Sequence, residues 1–199
     1  MISKSFDILD KSIVFLYLQD IINNKICLSV NFLTITIYPQ FFTVLKKGFY
    51  QQYRKFHYIF LQNQSNPGTD PVVLQLGGGP RCTSLLGLNE EIGPFVMVDD
   101  DRVFKKNPYS WNNRLNLLFI DQPARVGFST NNDPNYKYND INSGEDNYQA
   151  ILVWFSIFKQ YQKNRFFIVG ESYAEISQKI LRNSIIKYKL FNIFFFFSL

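Results

Sequence analysis

Four short apolar runs set the rhythm of the chain: residues 57–61 (HYIFL), 72–76 (VVLQL), 115–120 (LNLLFI) and 166–169 (FFIV). Each stops at turn-forming residues, respectively 63–70 (NQSNPGTD), 77–80 (GGGP), 121–123 (DQP) and 170–174 (GESYA). Runs this short read as strands, and the near-continuous apolar character of 115–120 suits a strand covered on both faces. Between the third and fourth runs the period changes, with Tyr148, Ile151, Leu152, Phe155 and Phe158 recurring at helical spacing. Ser143, with an acid three places on at Asp146, predicts the helix start. Lys159 and Lys163 complement the dipole at its end. A helix in that position returns the chain to a parallel neighbour and completes a β-α-β unit, so the pattern predicts an α/β fold.

The two ends read differently. Residues 26–45 carry no charge between Lys25 and Lys46, which meets the length of a membrane span. Asn31, Thr34, Thr36, Pro39, Gln40 and Thr43 dilute the apolar character, and β-branched residues favour a strand, so a membrane anchor is not expected. An apolar run at 13–18 follows Lys4, but Asp7, Asp10 and Asp20 surround it, unlike the basic start of a secretory leader. Residues 188–199, with four phenylalanines in a row at 194–197, have no period that serves one face of a helix or strand, and translated non-coding sequence is the expectation there.

Composition narrows the function classes. The 199 residues fit one domain, and of the net charge of +5 four units come from Lys179, Arg182, Lys187 and Lys189. The remainder is nearly neutral, so nucleic-acid binding by a basic face is not supported. Cys27 and Cys82 form neither a disulfide framework nor a metal pattern. The glycine run 77–79 lacks the Gly-Lys-Ser/Thr of a phosphate loop, and no cofactor is expected.

Chemistry concentrates at residues 165–177 (RFFIVGESYAEIS), where a strand runs through Gly170, Glu171, Ser172, Tyr173 and Ala174 into a helix start. A serine on so sharp a turn projects its hydroxyl above the sheet edge, and the crowded backbone demands small residues two places either side. Ser172 is therefore the candidate nucleophile. The glycine run ends its own strand and offers backbone N–H groups of the kind that stabilise a tetrahedral oxyanion.

The motifs GESYA, LQLGGGPRCTSLLGLNEEIGPF, NPYSWNN and LLFIDQPARVGFS, in order, resemble those of the serine carboxypeptidases, a family of α/β-hydrolases. The resemblance spans roughly residues 49–177. It implies a partial α/β-hydrolase fold with a mixed, mostly parallel sheet, truncated after the nucleophile strand and helix. The domain reading is an unassigned segment 1–48, the hydrolase part 49–180 and an unassigned tail 181–199. By resemblance, the N–H groups of Gly79 and Tyr173 form the oxyanion hole, and Glu171, Glu91 and Gly78 help bind a peptide's terminal carboxylate. A carboxyl group binds another only while one of them holds a proton, which implies work at acidic pH.

Departures from the family are specific. Gly77 stands for Asn, removing one donor to the terminal carboxylate, and Gln75 stands for Trp. Arg81, Arg125 and Glu175 stand for glycine; where such a position needs positive φ, a side chain costs on the order of 1 kcal/mol or more. These changes suggest relaxed constraint. The family position of Cys82 usually pairs with a later cysteine, and none follows here, so a free thiol is expected.

A serine hydroxyl needs a base, and α/β-hydrolases supply Asp or Glu and then His after the nucleophile. After Ser172 this sequence has Glu175 and no histidine. His57, the single histidine, falls in a strand and reads as an ordinary strand residue; Asp121, at a strand end, has a family counterpart without a triad role. The expected function is that of a serine-type carboxypeptidase-like protein with little activity, its triad Asp and His absent. Alternatives are a carboxypeptidase-like acyltransferase, which the loss at Gly77 suits, and a non-catalytic binding protein or truncated product. The expected partner is a peptide C-terminus. The family is lysosomal, vacuolar or secreted, and export would make the sequon at Asn63 meaningful.

Overall fold

The computed structural model describes the backbone of residues 9–10, 26–30, 33–46, 49–98, 103–188 and 197–198, and side chains within 54–98 and 104–186. The strands in chain order are β1 (Leu9–Asp10), β2 (Ile26–Val30), β3 (Leu33–Lys46), β4 (Phe49–Leu61), β5 (Val72–Leu76), β6 (Phe95–Val98), β7 (Val103–Lys106), β8 (Asn116–Ile120), β9 (Thr130–Asn131), β10 (Phe166–Gly170) and β11 (Phe197–Ser198). Two longer helices, α1 (Asp140–Ile157) and α2 (Ala174–Tyr188), flank β10 in sequence. The main sheet runs β11-β10-β5-β8-β4-β3-β2, with β9 joined to β4, and a small sheet runs β1-β7-β6.

All four apolar runs are strands of the main sheet, as their pattern predicts. Pairing is parallel from β11 through β10 and β5 to β8, and antiparallel from β8 through β4 and β3 to β2. Helix α1 carries the chain from β8 across β5 to β10, completing the expected crossover. The 26–45 span becomes β2 and part of β3, an antiparallel pair, and no helix among the described residues is long and apolar enough to cross a membrane. The 13–18 run and residues 194–196 of the phenylalanine row lie outside the described residues.

Alternation along each strand divides the core between two faces. Phe56, Tyr58, Phe60, Leu74, Leu118 and Ile168 face the helices, where they pack with Tyr148, Ile151, Trp154 and Phe155 of α1 and Leu181 and Ile185 of α2. Ile59, Leu61, Val73, Leu117, Phe119 and Val169 point the other way, against Ile92 and the half-buried Leu85, Leu88 and Trp111. Burial on both faces is the reason the runs carry no polar alternation. The aromatic side of α1 is core, with Trp154 stacked on Phe158 at 4.9 Å and edge-on to Phe60 at 4.9 Å.

Two local expectations change. Helix α1 begins at Asp140, three residues before Ser143, because the Asn139 side chain accepts the Asn142 N–H and caps it first. Ser143 is then inside the first turns. The sequon residue Asn63 is 5 % exposed, donates its amide to Asp70 Oδ2 at 2.5 Å and accepts from Ser65 N–H with its oxygen. Its side chain is thus unavailable to a glycosylating enzyme in the folded protein.

The helices approach each other at Gly144, where an added Cβ would sit 2.3 Å from Ile180 Cγ2. Alanine in a helix interior is intrinsically better than glycine by about 1 kcal/mol, whereas overpacking costs roughly 1–3 kcal/mol. At this separation the overlap wins. Gly144→Ala is expected to lower the denaturation midpoint in urea, by about 1 kcal/mol net; a raised midpoint would show that α1 and α2 do not meet there.

Candidate active site

Three turns leave the carboxyl ends of β5, β8 and β10, and the parallel register sets them side by side. Gly170 pairs with Leu76 and Gln75 with Phe119, so residues 77–80, 121–123 and 171–173 emerge along one edge. This is the edge at which open α/β sheets bind ligands.

At the β10 turn, Ser172 takes φ of 57°, a left-handed conformation that costs an ordinary residue about 1–2 kcal/mol. Helix α2 starts at once, with Ala174 N–H donating to Glu171 O and Glu175 N–H to Ser172 O. A Cβ on Gly170 would lie 2.6 Å from Ala174 Cβ, which is the physical reason for small residues two places either side of the serine. Ser172 itself is exposed.

The glycine run closes over this turn. A Cβ on Gly78 would come within 2.8 Å of Glu171 O and 3.2 Å of Ser172 Cβ, so the two backbones touch where any side chain would separate them. Gly79 has φ of 113°, open to glycine alone without strain. Among the described residues neither Gly79 N–H nor Tyr173 N–H has a hydrogen-bond acceptor, leaving both donors available. The loop around Gly77 is tight as well, since a Cβ there would meet Cys82 O at 2.8 Å. Cys82 is a half-buried free thiol, as expected.

Glu91, at the end of a single wide helical turn Gly87–Glu91, is brought against Glu171. Burial raises the Glu91 carboxyl above its ordinary range, and the Glu171 charge and a hydrogen bond between the two carboxyls raise it further. Glu91 therefore keeps its proton to a higher pH than an ordinary glutamate. Beside the turn lies a cavity of about 260 Å³ lined by residues that include Gly77, Gly78, Arg81, Tyr138, Asp140 and Tyr173.

His57 and Asp121 meet. The histidine Nδ1 lies 2.9 Å from Asp121 Oδ2, and the carboxylate also accepts from the Thr83 hydroxyl and from Phe128 N–H at 3.1 Å. Both residues are buried, and His57 N–H donates to Ser129 Oγ. His57 is a strand residue, as expected, and it also has a partner the separate motifs did not reveal: antiparallel pairing of Tyr58 with Ile120 puts the histidine opposite the acid. Strand β4 is three positions from β10, about 14 Å at the usual strand spacing, so His57 does not reach Ser172. Its aspartate, through Thr83, braces the loop that carries the glycine run.

Of the positions that stand for family glycines, Arg81 and Arg125 have φ of 78° and 74°, so the anticipated strain applies to both. Glu175 sits in the first turn of α2 and pairs with Lys179 at 2.7 Å, and needs no glycine. Among the described residues no group of three or more His, Cys, Asp or Glu is placed to hold a metal ion.

Comparison with known proteins gives one consistent answer. The lysosomal protective protein of Mus musculus is 46 % identical over 123 residues, covering 62 % of this chain and 26 % of that protein. Serine carboxypeptidase-like 20 of Arabidopsis thaliana is 39 % identical over 135 residues, covering 65 % of this chain and 27 % of its own length. The chain thus spans about a quarter of the length of these relatives. In fold it superposes on a prohormone-processing carboxypeptidase of Saccharomyces cerevisiae with a TM-score of 0.70 at 22 % identity, covering 79 % of this chain and 37 % of that one. The sequence profile described as serine carboxypeptidase matches residues 42–192, reaching beyond the four motifs at both ends. With an α/β-hydrolase sheet under a left-handed serine turn and a family profile covering most of its length, the chain belongs to the serine carboxypeptidase family.

Proposed function

We propose that this chain carries the nucleophile, the oxyanion donors and the carboxylate-binding part of a serine-type carboxypeptidase site. Ser172 is the nucleophile, the N–H groups of Gly79 and Tyr173 receive the oxyanion, and Glu171, Glu91 and Gly78 hold the terminal carboxylate of a peptide. The observation that carries this reading is the left-handed turn at Ser172 seated against Gly78, with two unspent backbone donors beside it. Attack of Oγ on the scissile carbonyl carbon puts negative charge on its oxygen, and fixed N–H dipoles stabilise that charge without reorganising. The protonated member of the Glu91 and Glu171 pair donates to the terminal carboxylate, which suits an acidic lysosomal, vacuolar or extracellular setting.

Among the described residues no base is placed to remove the hydroxyl proton. The single histidine of the 199 residues is spent on Asp121, about three strand spacings away. Loss of the triad histidine lowers turnover of a serine protease by roughly a millionfold. We therefore assign these 199 residues a binding site with a weakly reactive serine. The same observation favours a second reading, capture of a peptide C-terminus without turnover. Neither reading involves nucleic acid or a membrane span.

Incubation with a fluorophosphonate at neutral pH is expected to leave Ser172 largely unlabelled over hours, by intact mass. Rapid stoichiometric labelling abolished by Ser172→Ala would overturn the assignment of low reactivity. The acid pair gives a second test. Because the folded-state affinity of Glu91 for its proton is raised, the stability it contributes is present below the ordinary glutamate range and is lost as pH rises through the raised value. Glu91→Gln removes the repulsion. Its melting temperature is expected to equal wild type near pH 4 and to exceed it at pH 7; a constant difference across that range would separate Glu91 from Glu171.

A further inference from the structure

Arg81 leaves the glycine run and Arg125 leaves the turn after β8, and each occupies a backbone conformation that favours glycine. Their side chains nevertheless converge on one ring. The Arg81 guanidinium lies 5.6 Å and that of Arg125 6.0 Å from the centre of Tyr138. That ring is itself held: the Tyr138 hydroxyl accepts from Asn131 at 2.8 Å, and the Tyr136 and Tyr138 rings meet edge to face with centres 4.7 Å apart. Tyr136 in turn donates to Asp146, whose carboxylate is 2.7 Å from Arg54 Nε, so the support is itself a buried ion pair.

Tyr138 and Arg81 line the cavity beside Tyr173. Among the described residues neither Arg81 nor Arg125 is paired with a carboxylate. The one acid in the wall, Asp140, accepts from the Tyr173 hydroxyl with both oxygens, at 3.0 and 3.2 Å, and sits in the first turn of α1, where a negative charge is already favoured. In the wall itself Arg81 offsets Asp140, and Arg125, at the Tyr138 ring rather than in the wall, brings the charged groups around the cavity to one net positive charge. At about 260 Å³ the space is below the usual range for drug-sized ligands and suits a single side chain.

We propose that Arg81, Tyr138 and Arg125 form a subsite for the acidic side chain of a peptide, next to the turn at Ser172. The proposal deepens the peptide-binding reading above and rests on it. A single carboxylate fits the charge balance, since Asp140 opposes a doubly charged phosphate. It also changes the meaning of the two arginines: they act together on one ring, which scattered loss of constraint does not explain.

The test compares four N-acetyl dipeptides with free C-termini, Glu-Leu against Gln-Leu and Leu-Glu against Leu-Gln, titrated calorimetrically at low salt. In wild type one glutamate peptide is expected to bind about tenfold more tightly than its glutamine twin, and the ratio to shrink as salt is raised. In the double variant Arg81→Gly with Arg125→Gly the ratio is expected to fall to about one. Glycine is the residue these backbone angles favour, so the variant is expected to melt no lower than wild type, and lost selectivity then reports lost charge. Equal binding of the twins in wild type, absence of binding by all four, or a ratio that survives the double variant would overturn the subsite. C-terminal amides of the same peptides separate the two ideas. If amides bind as well as acids while the glutamate preference persists, the carboxylate pocket of Glu171 and Glu91 is wrong and the arginine subsite stands.

Discussion

The parallel register of β10 on β5 and of β5 on β8 is the constraint on which the site depends. Three strands that point the same way and end level must turn at the same edge, and here each turn carries one part of the chemistry. Backbone hydrogen bonds fix that alignment, and strands apolar on both faces lock it, because a slip of one residue would exchange every side chain between the helical face and the opposite one. The closeness of Gly78 to Ser172 follows from the sheet rather than from any attraction between the two residues.

Such a framework can hold strain. Ser172, Arg81 and Arg125 all have positive φ, and the three together cost several kcal/mol at about 1–2 each. Buried polar ties surround them. Ser84 accepts from Gly77 N–H and donates to the Ile120 carbonyl, and Asp121 joins His57, Thr83 and Phe128. One carboxylate thereby links β4, the turn after β8 and the loop after β5. A buried acid with this many donors is better understood as a brace than as half of a catalytic pair.

How much of this was legible in the sequence depended on distance along the chain. Strands β5, β8 and β10, the core face of α1 and the serine turn are written in local residue types, and they were read nearly to their ends. The β6 and β7 hairpin was not, since 95–98 is too short to show alternation. The union of His57 with Asp121 and the approach of Arg81 to Tyr138, where Arg125 also arrives, join residues many tens of positions apart. No local period encodes them; the first appears once β4 is paired with β8, the second once β5 is. The start of α1 was misplaced for a different reason: 139–146 (NDINSGED) offers several residues able to cap, and only geometry selects Asn139.

The burial of Asn63 has an implication for the order of events in an exporting cell. Its amide nitrogen is engaged with Asp70, and Asn63 N–H is held by Asn116 at the start of β8. A sugar tree can be attached at this asparagine only while the chain is still open, and once attached it would keep the 63–70 loop from closing on that strand. Carbohydrate at residue 63 would therefore mark molecules that met the transferase before they had finished collapsing.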